Sequence, residues 1–294
     1  MKLVVISSLG AVHLHVVAQI ARRHPPIEIL RPYRPKAPAP PIDERLARAL
    51  RSPVDAARDG ARDRLRDARI ERTEREIAAL LFPAVTPEVS ATSVPVKELC
   101  SPHVVARLRA LSPDVIFVSG APVLRPEVFT IPRFGTINLH YGVAPEYRGE
   151  DTLFWAMVRG DHERLGVTLH TIDRGVDTGQ LLAHGFPRRR GGESESELWA
   201  SCADLGARLA TVVLDTLGGR PLSGVPQPPG GRQYFRRERT PLRDLQHQAL
   251  RAIGRTPPAA PERIYYYRTP GERPVPAAGR RARTDCHESG GAPR

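Results

Sequence analysis

Aromatic side chains make up only 5% of this 294-residue chain, with three cysteines and two methionines. A core must therefore be built mainly from Val, Leu, Ile and Ala, for which the 40% hydrophobic content suffices. No uninterrupted apolar run of about 18 residues occurs, which excludes a membrane-spanning helix. Cys100, Cys202 and Cys286 are odd in number and widely scattered. They make no disulfide framework and no CxxC pair for zinc, so the expectation is a reducing, cytoplasmic setting without a structural metal. A GxSxG elbow is missing, no cysteine has the context of a nucleophile, and there is no internal repeat. The opening MKLVVISSLGAVHLH superficially suggests a secretion signal. His13 and His15 interrupt its apolar stretch and no small-residue cleavage site follows, so it reads as a first strand running into a helix.

The formal charge is +12. An anionic partner such as nucleic acid would explain it. So would the codon bias of a GC-rich genome, since nearly all the basic residues are Arg, and Pro and Ala are abundant. The excess is concentrated after Gly218.

Residues 2–7 (KLVVIS) read as a buried strand, 12–23 as a helix and 27–30 as a second strand. A Pro-rich stretch over 32–41 predicts a loop. Dense Arg/Asp/Glu alternation over 42–81 predicts an exposed helical hairpin with charges paired three and four residues apart. Ser101 followed by Pro predicts a capped helix start. Residues 114–120, 136–141, 165–173 and 180–186 read as further strands, the last two joined by the turn RGVDTG. Ser194 and Glu197 have capping-box spacing ahead of a long helix over 194–217. Strands alternating with helices predict an α/β fold: a doubly wound, mostly parallel Rossmann-like sheet, with an antiparallel edge strand after the short turn. The expected division is a catalytic domain over 1–218, a short Pro/Arg-rich appendage over 219–268 and a disordered basic tail over 269–294.

The chemistry-bearing segment is INLHYGVAPEYRGEDTLFWAMVRGD, followed by HTIDRGVDTGQLL. Asn138 and His140 lie two apart on a strand and share a face. They stand at its carboxyl end, where open α/β sheets bind ligands. Asp177 sits in a Gly-flanked turn that can return it to the same edge. An amide donor, an imidazole and a carboxylate suit acyl transfer to an amine. The amide and imidazole stabilise an oxyanion. The carboxylate orients the imidazole, raises its pKa and helps move protons. Taken alone, Asn-x-His on a strand is more often structural than catalytic.

The surrounding sequence adds to this. NLHYGVAPEYRG resembles the NxHxSxLPxYRG signature of the 10-formyltetrahydrofolate-dependent formyltransferases, the superfamily of the methionyl-tRNA, glycinamide ribonucleotide and sugar N-formyltransferases. IDRGVDTGQLL is similar to that family's MDEGxDTGxIL turn, and PDVIFVSGAPVLRPEVF to its strand and loop ahead of the signature. The resemblance covers residues 1–218 and is sharpest over 113–182. It implies that Asn138 binds the formyl oxygen, that His140 stabilises the oxyanion or acts as the acid, and that Asp177 orients His140 and relays protons. It implies that Pro122, Val123 and Leu124 contact the pterin of the donor 10-formyltetrahydrofolate, with Asp173 and Val176 of the turn closing the same pocket. Tyr147, Arg148 and Gly149 would line the acceptor side, where Arg148 either contacts an anionic group or fixes its loop through a salt bridge. Tyr141, Gly142 and Ala144 depart from the family pattern, and SSLGAVHLH stands in place of the GTPxF turn of the methionyl-tRNA members. These departures bear on the acceptor.

The acceptor expected from this reading is a small-molecule amine, such as an amino sugar nucleotide, with no metal and no membrane involved. Methionyl-tRNA is the first alternative, although 226–294 has too few alternating strands for that enzyme's β-barrel. Formyltetrahydrofolate hydrolysis is a second, but the first strand begins at Lys2 and leaves no room ahead of it for that enzyme's regulatory domain. A non-catalytic binding protein on the same fold is the alternative of another class. His13, His15, His170 and His184 lack ligand-spaced partners for a metal. Phe154 and Trp155 read as core. Tyr265, Tyr266 and Tyr267, between Arg263 and Arg268, read as a peripheral strand or as a base-stacking patch.

Overall fold

The computed structural model describes residues 1–35 and 41–267. In chain order the elements are β1 (Leu3–Ser7), α1 (Ala11–Arg23), β2 (Glu28–Tyr33), α2 (Ile42–Arg51), α3 (Pro53–Leu81), β3 (Thr92–Pro95), α4 (Pro102–Leu111), β4 (Val115–Ser119), α5 (Pro126–Phe129) and β5 (Gly135–His140). There follow β6 (Tyr147–Gly149), α6 (Thr152–Val158), β7 (Val167–Thr171), β8 (Leu181–Phe186), α7 (Glu195–Thr216), β9 (Arg232–Tyr234), α8 (Pro241–Ala252) and β10 (Arg263–Tyr266).

Eight strands form one sheet in the order β10-β8-β7-β5-β4-β1-β2-β3. The ladders from β3 to β5 are parallel, and those joining β5 to β7, β7 to β8 and β8 to β10 are antiparallel. The doubly wound α/β expectation is met. The antiparallel region is wider than the single strand expected, and its edge is β10, which contains Tyr265 and Tyr266.

Alternation on β1 explains why both faces carry helices. Leu3 and Val5 point into the layer that includes α1 and α7, while Val4 and Ile6 point into the layer that includes α4. The α7 stripe Leu198, Cys202, Leu205 and Leu209 has helical spacing and is fully buried. Gly206 lets this helix approach β5 closely, since a Cβ there would stand 2.8 Å from the Leu139 side chain. Both halves of the expected capping box form: Ser194 Oγ accepts from Glu197 N at 3.2 Å, and Glu197 Oε2 accepts from Ser194 N at 2.8 Å.

Four local expectations need correction. Of the loop expected over 32–41, Pro32 and Tyr33 belong instead to β2, paired beside β3, and residues 36–40 lie outside the described residues. Proline's fixed φ is compatible with an extended strand. Ser101 does not cap α4 through its side chain; its hydroxyl pairs instead with His103 Nδ1 at 3.0 Å. The 42–81 segment forms two helices, but the end of α3 buries one face rather than standing fully exposed. Ile77 is buried in the core, and Glu74 Oε2 accepts from Ala11 N at the start of α1 at 2.9 Å. Finally, the chain after Gly218 is woven into the main body: β10 completes the large sheet and β9 pairs with β6. The tail over 269–294 lies outside the described residues.

A buried ionic knot joins α6, α7 and α8. Arg239 meets Glu195 at 2.7 and 2.8 Å, Asp244 at 2.8 Å and Asp151 at 3.3 Å, with its guanidinium 3.7 Å from the Phe154 ring centre. Removing the arginine would strand buried carboxylates. Arg239→Ala is expected to cost about 3–5 kcal/mol in urea unfolding. Arg66→Ala, which removes the exposed pair with Asp63, should stay within about 0.5 kcal/mol. Equal costs for the two would contradict this account.

Candidate active site

Antiparallel pairing of β5 with β7 sets His170 opposite Asn138 and Thr168 opposite His140. Directly paired residues share a face, so all four side chains project from one side of the sheet. The turn between β7 and β8 then brings a carboxylate back over them. Asp173 Oδ1 accepts from Gly175 N at 2.9 Å and from Thr178 Oγ1 at 2.6 Å, which tightens the turn. Gln227 Nε2 donates to the carbonyls of Asp177 and Gly179 at 2.8 and 2.7 Å. Held from both sides, Asp177 takes a left-handed backbone with φ of 53°. Such a conformation costs a non-glycine residue energy and persists only where its surroundings enforce it.

The Asp177 carboxylate is the meeting point. Oδ2 accepts from Gly149 N at 2.8 Å and lies 3.3 Å from His140 Nδ1. Oδ1 lies 3.3 Å from both Asn138 Nδ2 and His170 Nε2. The Asn138 amide also reaches His170 Nε2 at 3.1 Å. Burial alone would raise the carboxyl pKa. The opposing pull of His140, of the His170 hydrogen bond and of the Gly149 N–H holds it well below the usual carboxylate range. Asp177 is therefore ionised at neutral pH.

His140 differs from expectation. Burial lowers its pKa and outweighs the raising effect of Asp177, with His170 adding to the lowering. Its Nε2 stands 2.8 Å from the Tyr147 carbonyl oxygen, an acceptor, so the single proton of the neutral ring belongs on Nε2. The Nδ1 lone pair then faces Asp177. A proton arriving at Nδ1 would at once face the carboxylate, which makes this nitrogen a base backed by a fixed negative charge.

Asn138, His140 and Asp177 thus converge. Other expected residues play different parts. The Tyr147 ring is buried, stacks on Tyr234 at 5.5 Å and donates to Asp161 Oδ2 at 3.1 Å. It cannot line an acceptor pocket, and its contribution is the backbone carbonyl on His140. Gly149 acts through its N–H. Arg148 forms no ion pair among the described residues, so the loop-fixing salt bridge is not found, and its buried Nε has no hydrogen bond. Leu124 is a core side chain of the α4 layer, whereas Val123 is 67% exposed and Pro122 is half-buried. Asp173 braces the turn rather than joining the cluster, and Val176 is half-buried next to Asp177.

Sequence reasoning missed His170 and Gln227. The period-two alternation of β7, which puts His170 on the face of Thr168, pointed to the first once β7 was paired with β5. Gln227 lies 50 residues from Asp177, in a segment without a periodic pattern, and carries no such signal. Among the described residues no group of three or more His, Cys, Asp or Glu is arranged to hold a metal ion, and no helix is long and apolar enough to cross a membrane. Cys100 and Cys202 are free, and Cys286 lies outside the described residues.

Residues 69–214 match the protein family described as Formyl transferase. A methionyl-tRNA formyltransferase of Pelotomaculum thermopropionicum is 34% identical over 123 residues, covering 42% of this chain and 39% of its own length. One of Halorhodospira halophila is 35% identical over 129 residues, covering 44% and 41%. The chain thus matches about two-fifths of the length of these curated relatives. The solved structure of a 4-N formyltransferase from Francisella tularensis shares the fold, with a TM-score of 0.51, 13% identity and coverage of 86% of this chain and 88% of that one.

Gly149 offers a test of the geometry. Its φ is +91°, and an added Cβ would stand 2.2 Å from the Tyr234 carbonyl oxygen. Gly149→Ala is expected to lower stability by about 1–3 kcal/mol in urea unfolding and to raise the Asp177 carboxyl pKa, followed by NMR. An unchanged titration would show that this N–H does not hold the carboxylate.

Proposed function

We infer that this chain, which belongs to the formyltransferase superfamily, transfers a formyl group from 10-formyltetrahydrofolate to an amine of a small-molecule acceptor. The observation that carries the reading is the convergence of Asn138, His140 and Asp177 at the carboxyl end of β5. The donor reading is supported by two loops at the carboxyl ends of their strands: Pro122, exposed Val123 and Leu124 follow β4, while Asp173 and half-buried Val176 precede Asp177 after β7, and the exposed valine suits the face of a pterin. The free cysteines Cys100 and Cys202 suit a cytoplasmic setting.

In this mechanism the acceptor nitrogen attacks the formyl carbon, the new C–N bond forms, and the carbonyl electron pair moves onto oxygen. The Asn138 amide turns from its resting contacts to donate to that oxyanion. The proton released by the attacking nitrogen passes to the Asp177–His140 pair and comes to rest on His140 Nδ1, where the carboxylate stabilises the imidazolium. The C–N bond to the donor then breaks as the carbonyl re-forms. The same proton passes to the departing nitrogen, so both partners leave neutral. His170 holds the Asn138 amide and the carboxylate in register. Arg148, with no carboxylate partner among the described residues, is the group for an anionic portion of the acceptor.

One observation bears on the acceptor class. The N-terminus of a helix after β1 is a natural phosphate site, but at α1 the Glu74 carboxylate already accepts from Ala11 N. That disfavours a phosphorylated acceptor anchored at this point. Transfer to methionyl-tRNA is a second reading, favoured by the identity to the two bacterial relatives.

An acceptor screen with donor supplied, read as the mass gain of one formyl group, tests the proposal. Amino sugars, amino sugar nucleotides and methionyl-tRNA are the arms. Product from a small amine is expected, and product from the tRNA alone would overturn the small-molecule reading. Replacement by His140→Ala or Asp177→Asn is expected to lower turnover at least about a hundredfold; wild-type rates in either would refute the assigned roles. Because the base is the neutral imidazole and burial lowers its pKa, kcat/KM should be flat near neutrality and fall as pH drops, with a midpoint below about 6.5. A midpoint well above that value would contradict the assignment.

A further inference from the structure

A cavity of about 460 Å³ opens on the same face of the sheet as the catalytic cluster, with none of Asn138, His140, His170 or Asp177 in its walls. Cross-strand pairing runs a row of residues from His140 through Thr168 and His184 to Tyr265, across β5, β7, β8 and β10. His184 therefore lies two strands from His140, roughly 10 Å at ordinary strand spacing. Val143 and the turn carrying Asp161, Glu163 and Arg164 wall the cavity on one side. His184, Phe186, Arg263, Tyr265 and Tyr267 wall it on the other.

We propose that this cavity binds a neutral, planar heteroaromatic ring of nucleobase size. Three features of the walls point to that chemistry. The first is aromatic surface. Phe186 and Tyr265 meet edge to face at 5.9 Å, as do His184 and Tyr267 at 5.2 Å. Tyr265 is 48% exposed and leaves a ring face available for stacking.

The second is charge balance. Two arginines and two carboxylates line the cavity, and both guanidinium groups are already engaged. Arg263 pairs with Glu163 at 2.7 Å, and Arg164 with Glu146 at 2.8 Å. A phosphate would have to break these pairs, whereas a neutral ring would not.

The third is unused hydrogen-bonding capacity. His184 is 94% buried and held on two sides, its Nδ1 bonded to Tyr267 Oη at 2.8 Å and its ring hydrogen-bonded to the Ala144 backbone, so it stands as a fixed wall. Arg263 Nε, by contrast, is buried without a hydrogen-bond partner among the described residues. Buried polar atoms are rarely left in that state. The acceptor edge of a heterocycle would complement this N–H, while its face stacks on the tyrosine. Arg263 is itself held 4.8 Å from the Phe186 ring centre, which fixes its Nε at the cavity wall.

This site is independent of formyl transfer, and its test uses binding alone. The full chain is titrated with uridine, cytidine, adenosine and guanosine, with inorganic phosphate as the charged control, and followed by saturation-transfer NMR and calorimetry. At least one nucleoside is expected to bind more tightly than phosphate. Tyr265→Ala and His184→Ala should each weaken that binding about tenfold or more, the scale of one lost stacking or edge contact. Tyr265 is half exposed, so its variant remains a fair test if His184→Ala folds poorly. His140→Ala should leave binding unchanged. The proposal is overturned if no nucleoside binds, if phosphate binds more tightly, if binding survives Tyr265→Ala, or if it is lost in His140→Ala.

Discussion

The site depends on one buried carboxylate. Asp177 faces an amide, two imidazoles and a backbone N–H, all within 3.3 Å. A charge this deeply placed is costly unless donors surround it. The fold supplies its partners from three separate stretches of chain. The Asn138 amide of β5 and the Gly149 N–H of β6 donate to it, and the His140 and His170 rings of β5 and β7 stand beside it at 3.3 Å. Stripped of these donors, a left-handed aspartate in a hairpin turn would have little reason to keep its place.

The supports of that carboxylate reach far from it. Strand β6, which presents the Gly149 N–H and the Tyr147 carbonyl, is paired to β9 near the other end of the chain. Just beyond β6, Asp151 is gripped by Arg239, which also holds Glu195 at the start of α7. Gln227 pins the Asp177 turn from the same late segment. The stretch after Gly218 is in this sense part of the site, since it fixes backbone groups that touch the side chains proposed to be catalytic. Catalysis by pre-placed dipoles requires this kind of rigidity, because any reorganisation during the reaction subtracts from the effect.

The strands, the long α7 helix with its capping box, and the trio Asn138, His140 and Asp177 were legible in the sequence because each rests on a short-range pattern. Period two puts Asn138 and His140 on one face, and the Gly-flanked turn returns Asp177. What the sequence concealed depends on pairing between distant segments. His170 becomes a partner only when β7 lies antiparallel beside β5. The sign of the His140 shift depends on how much protein covers the ring, which no local motif reports. Tyr147, within the family signature, suggested a pocket wall, yet its ring is drawn into the core by Tyr234, 87 residues away in sequence. Ile77 and Glu74 sit in a stretch whose charge pattern reads as solvated. Ile77, with Ala78 and Leu81 beside it, and the Glu74 carboxylate dock the end of α3 against the core and α1.

The central claim is that Asp177 and His140 act as one unit. A double-mutant cycle on formyl transfer, with Asp177→Asn, His140→Asn and the pair combined, measures this directly. Groups that act as a unit give strongly non-additive losses. The account predicts that the double variant is within about threefold of the slower single variant. If the two losses multiply instead, the carboxylate and the imidazole work independently, and the arrangement described here does not underlie the chemistry.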